Sequence, residues 1–116
     1  MRSRVFVVQD QQHYDHRVGK LVPKFDLTKA RTHGDIQYLL GPSAGPWSSN
    51  SCIEDIKRGL KNYNADSDFL LLIGNPCLIG WAVAIAAQVG KGRVNLLQWS
   101  GRDEKYLPIY TRGLAL

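Results

Sequence analysis

Gly74-Asn-Pro-Cys77 is the stretch whose residue types and order come closest to a ligand site. Gly74 can take backbone conformations closed to other residues. Asn75 is a good helix N-cap, and Pro76 suits the first helical position, where its missing N–H is no loss. The N–H groups of the first turn have no helical partners and carry a partial positive charge, which suits a phosphate or carboxylate. On this reading the backbone of Gly74 and Cys77 donates to an anion and Asn75 faces it. Arg93 and Arg102 are the candidate cations beside it, and Trp99 is an indole that could line the pocket or stack on a base. There is no Walker sequence with its Lys and no G-x-G-x-x-G, so no nucleotide class is named.

Other chemistry-bearing groups are sparser. His13 and His16 with Asp15 could hold a metal or exchange protons, yet no third well-spaced ligand accompanies them, and solvated loop histidines are the expectation. Cys52 and Cys77 lack partners at metal-ligand spacing and read as reduced, small core residues. No nucleophile elbow, carboxylate pair or triad is visible, so no catalytic residue, metal or cofactor is assigned. Lys20, Lys24, Lys29 and Arg31 form a basic loop that, with Trp47 and Trp99, could serve nucleic acid.

These groups need a frame. Phe69-Leu-Leu-Leu-Ile73 is an unbroken apolar run, as in a strand buried on both faces. Cys77 to Val89 is apolar almost all round and reads as a buried helix containing Trp81, with Gly90 as its C′ stop. A second apolar run spans Val94 to Trp99. Strand, turn, helix and strand make one right-handed βαβ unit, and ligands of such folds sit beyond the carboxyl ends of the strands. Arg4 to Gln9 is the first strand and suits an inner position. Residues 10–33 read as a long polar loop, with a helical turn near Leu27 to Arg31. Asp35 to Leu40 is the next strand. Ser51-Cys-Ile-Glu54 has the form of a capping box, and Ile53, Ile56, Leu60 and Tyr63 continue at helical spacing. Tyr106 to Arg112 reads as a last strand, placed at an edge because Pro108 cannot donate to a ladder. The expected fold is one small α/β domain over residues 1–116. It has a mixed, mostly parallel sheet of four or five strands, a central βαβ unit, two helices and an antiparallel edge strand.

The chain has 116 residues, 44% hydrophobic and 22% charged, as in an ordinary globular domain. A formal net charge of +5 permits an anionic partner without the dense Lys/Arg stripe of a dedicated nucleic-acid binder. The apolar helix is too short to cross a bilayer, which needs about 20 residues, so a cytoplasmic protein with no membrane partner is expected. The exposed edge strand at 106–112 makes a homodimer an expectation too.

Several segments also resemble a known family: Val5-Phe-Val-Val-Gln9, His33-Gly-Asp-Ile-Gln-Tyr-Leu-Leu40, Ile56-Lys-Arg-Gly-Leu60, Asp68-Phe-Leu-Leu-Leu-Ile-Gly-Asn-Pro76, Gly92-Arg-Val-Asn-Leu-Leu-Gln-Trp99 and Tyr106-Leu-Pro-Ile109. They are similar to a family of small uncharacterised proteins encoded by tailed bacteriophages. The resemblance implies a phage origin and the cytoplasm of a bacterial host, and it brings no activity with it. The expected function is therefore non-enzymatic binding that modulates a host protein or host defence, with a phosphorylated small ligand or nucleotide held at the 74–77 turn. The alternatives are a nucleic-acid binder using loop 20–31 with Trp47 and Trp99, and a small nucleotide-acting enzyme using His13 or His16.

Overall fold

The computed structural model describes residues 2–116. Five strands form the main sheet: β1 (Arg4–Gln9), β4 (Asp35–Leu40), β5 (Phe69–Leu71), β6 (Val94–Ser100) and β7 (Lys105–Thr111). Their order is β4-β1-β5-β6-β7. The first four are parallel, and β7 runs antiparallel to β6 at the edge. Two helices, α1 (Ser49–Leu60) and α2 (Pro76–Val89), make the crossovers into β5 and β6. The mixed sheet, the central βαβ unit and the antiparallel edge are as the sequence predicts.

Chain direction decides which face each connection covers. The crossovers β4-α1-β5 and β5-α2-β6 advance the same way along the sheet, so right-handedness puts both helices on one face. Phe6, Val8, Leu70 and Val94 meet Ile56, Leu60, Leu78, Ala82 and Ala86 there in one buried cluster. The link from β1 to β4 advances the opposite way and must use the other face. It contains no α-helix, and only Leu27 and Ala30 from it join Val5, Val7, Phe69, Leu71, Leu97 and Tyr106 in the second cluster. That face is thinly covered.

Residues 10–33 are not a plain loop. They contain a hairpin of β2 (Gln12–Asp15) and β3 (Lys20–Pro23), then a 3-10 turn at Ala30–Thr32. Tyr14, Val18 and Leu21 in the hairpin are exposed. A hairpin this exposed has little buried side to impose alternation, so its sequence carries no clear period of two.

Three local expectations are corrected. Helix α1 begins at Ser49, because the 3-10 turn Pro46–Ser48 feeds straight into it; its N-cap is Ser48, and no side chain caps it. Ser51 and Glu54 therefore lie inside the helix and form no capping box. Helix α2 buries only Leu78, Ala82 and Ala86, since a single helical layer leaves its outer side uncovered. Trp81 is accordingly half-buried. Gly90 follows α2 with φ −83°, and left-handed backbone comes instead at Lys91 and Gly92. Gly90 is needed because a Cβ there would collide with the Arg93 carbonyl. Among the described residues no helix is long and apolar enough to cross a membrane.

Candidate functional site

The turn after β5 is built as a helix start. Asn75 is extended, with φ −64° and ψ 136°, and its Oδ1 accepts the Cys77 N–H at 2.9 Å. Pro76 occupies the first turn. The chain leaves β1 toward β4 and returns to β5 on the other side of β1, so strand order reverses at the β1/β5 seam. Ligands of open α/β sheets favour that position.

Here the seam is filled by a protein side chain. Gln9, 4% exposed, accepts the Asn75 N–H on Oε1 at 2.9 Å. Its Nε2 donates to the Ala44 carbonyl at 2.8 Å, with Gly41 and Pro42 carbonyls at 3.3 and 3.4 Å. One carboxamide thus joins the loops after β1, β4 and β5. Gly74 makes this possible: its φ is +139°, and a Cβ there would lie 2.7 Å from the Gln9 Cβ. The N–H groups of Asn75 and Cys77 both have protein acceptors.

The open space lies one strand further on. In register, Leu70 pairs with Leu96 and Leu71 with Leu97, and the β5–β6 ladder then ends. Ile73 stays with β1, its carbonyl accepting the Gln9 N–H at 2.9 Å, while its own N–H turns back to Leu71. That is why β5 stops at Leu71 and not at Ile73. Strand β6 continues to Ser100. Between the diverging chains is a crevice of about 800 Å³. Leu71, Ile73, Leu97, Trp99 and Tyr106 line it on the thinly covered face, Leu96 and its partner Ile109 belong to the helix face, and Leu72 lines it from the turn after β5. Phe25, Asp26, Lys29, Gln98 and Glu104 complete the wall.

The electrostatics suit an apolar seat with a polar rim. Trp99 and Tyr106 meet edge to face, with centroids 5.0 Å apart. Lys29 Nζ stands 5.9 Å from the Trp99 centroid and donates to the Glu104 carbonyl at 2.6 Å. The Thr28 hydroxyl and N–H donate to Asp26, holding its carboxyl below the usual range and therefore ionised. Burial raises the Tyr106 phenol, which stays neutral.

The predicted site residues divide accordingly. Gly74, Asn75 and Cys77 share the turn, and Trp99 lines the neighbouring crevice. Arg102 lies exposed in the β6–β7 turn and is not part of the wall. Arg93 does not belong with them. It precedes β6, at the far end of α2, and donates to Asp66 at 2.7 Å and to the Gly90 carbonyl. A 14-residue helix separates it from Asn75, roughly 21 Å at 1.5 Å per residue. Lys20 and Lys24 sit on or beside the hairpin, and Trp47, 91% exposed, lies in the 3-10 turn that leads into α1. His16 packs edge-on against Tyr14 at 4.9 Å. Among the described residues, no three His, Cys, Asp or Glu side chains gather closely enough to hold a metal. Gln9 and Leu72 were invisible as site residues, because each acts through a strand remote in sequence.

Fold and crevice together define a small five-stranded α/β domain with an apolar ligand-sized cleft at the carboxyl edge of its sheet. The chain belongs to the Phage Pam3 gp32-like protein family, whose pattern it matches over residues 3–112. No curated protein and no solved structure matches it.

Proposed function

We propose that this phage protein is a non-enzymatic binding protein that modulates a host protein or host defence, and that it seats its ligand in the crevice between β5 and β6. The carrying observation is the 800 Å³ crevice, mostly apolar, with Lys29, Asp26 and Glu104 at its rim. Its volume falls in the range of small-ligand sites, roughly 300–1,000 Å³. Titration with 1-anilinonaphthalene-8-sulfonate, an apolar anionic dye, should give fluorescence that saturates at one site per chain. Leu72→Glu should abolish it. Dye binding that is absent, or unaltered by Leu72→Glu, sinks this reading.

A phosphorylated ligand at the 74–77 turn is the second reading, supported by the turn's place at the reversal of strand order. Such a ligand must displace Gln9 from the Asn75 N–H. Gln9→Ala should then strengthen thermal shifts produced by mono-, di- or cyclic nucleotides. No shift with any of them, in either protein, counts against it.

A further inference from the structure

The crevice is lined by residues of both sheet faces, Leu97, Trp99 and Tyr106 on one and Leu96 and Ile109 on the other, and this constrains the shape of its occupant. Gln98, Trp99 and Ser100 pair with Leu107, Tyr106 and Lys105 of β7 on one side. On the other side the ladder to β5 has already ended at Leu97. Strand residues direct their N–H and C=O groups alternately to the two sides. Part of this three-residue stretch therefore turns its backbone donors and acceptors into an otherwise apolar space. Backbone polar groups in such a setting call for partners.

We propose that the crevice takes an extended peptide segment of a partner protein, which adds as a strand to the free side of β6 at Gln98–Ser100. The proposal rests on the crevice being the ligand seat. Both features of the site fit a strand. An extended backbone supplies the missing ladder, as in β-strand addition to an open edge. It also sends successive side chains to opposite faces. One would meet Trp99 and Tyr106, and the next would meet Leu96 and Ile109. A flat small molecule uses one of these walls and leaves the backbone groups unpaired. Three residues of strand span about 10 Å. The peptide chemistry that follows is apolar residues at alternate positions over a short stretch, flanked by polar residues that can meet Lys29 and Glu104.

The test selects heptapeptides from a random displayed library on the whole folded protein. Enriched sequences should alternate apolar positions and displace the bound dye. Backbone N-methylation, scanned along one such peptide, should weaken binding about fivefold to tenfold at every second amide and leave the intervening ones unaffected. Trp99→Ala and Leu72→Glu should each weaken it at least tenfold. The proposal is overturned if no peptide is enriched, if enriched peptides leave the dye in place, or if methylation shows no alternation. It is overturned as well if size exclusion shows a dimer that excludes the dye, since a second copy then fills the crevice. Loss of dye binding itself marks failure of the crevice reading. A dye that binds with no competing peptide marks failure of the strand alone.

Discussion

At the amino edge of the parallel strands the polar groups lock together, while at the carboxyl edge the ladder comes apart. Asp68, 1% exposed, accepts the Arg4 N–H at 3.0 Å, Arg4 Nη2 at 2.7 Å and the Asn64 N–H at 2.9 Å. Asn95, equally buried, donates to the Ala65 and Asp68 carbonyls, accepts from Arg112, and gives its own N–H to the Tyr63 hydroxyl. These two side chains tie β1, β5, β6 and the chain after β7. Among the described residues no comparable link joins β5 to β6 at the other end. There Gln9 holds the loops on the β4, β1 and β5 side, and the next gap is left open. A sheet clamped at one edge can splay at the other without losing its register, and the splayed edge is where a ligand can enter.

The largest effect should come from the clamp. Asp68→Ala strips three donors of their acceptor and leaves the Arg4 guanidinium without its carboxylate. It should cost about 3 kcal/mol, roughly 10 °C in Tm, by thermal or urea unfolding. A loss under about 1 kcal/mol would break the contrast between the edges. Next comes Gly74→Ala, which forces a Cβ into left-handed backbone against Gln9; it should cost about 2 kcal/mol on the same assay. Alkaline pH should act through Tyr63 and Tyr106, whose phenols burial raises. The unfolded chain releases these protons near pH 10 while the folded chain still holds them. Stability is thus complete below about pH 10 and falls as pH climbs toward the folded values. Tm measured across that range should drop, and less steeply in Tyr63→Phe. Trp99→Ala removes a ring that is 47% exposed. It should change stability by less than about 1 kcal/mol yet weaken dye binding at least tenfold. A large stability loss here would recast Trp99 as structural. Trp47→Ala, at 91% exposure, should stay within about 0.5 kcal/mol.

Much of this frame is legible in the residues. Arg4–Gln9 and Asp35–Leu40 are strands at the expected bounds, because an apolar β-branched or Leu-rich run between turn residues has few other uses. Asn75 and Pro76 announce the start of α2 through local chemistry alone, and its cap is present. The hairpin within 10–33 left no such mark. Arg93 and the turn both adjoin α2 in sequence, and the length of that helix holds them apart. The crevice left no mark either, since it depends on β5 ending early against β6, a fact of pairing between residues about 26 apart.

Sequence by itself therefore determined the elements, their order and the apolar character of the central unit, since propensity, caps and hydrophobic runs are local. It also carried the family. Tertiary structure alone decided that Gln9 fills the reversal point, that Asp68 and Asn95 clamp the opposite edge, and that a stretch of β6 paired only to β7 borders open space. Each of these depends on which distant strand a residue lies against, and no spacing along the chain records that.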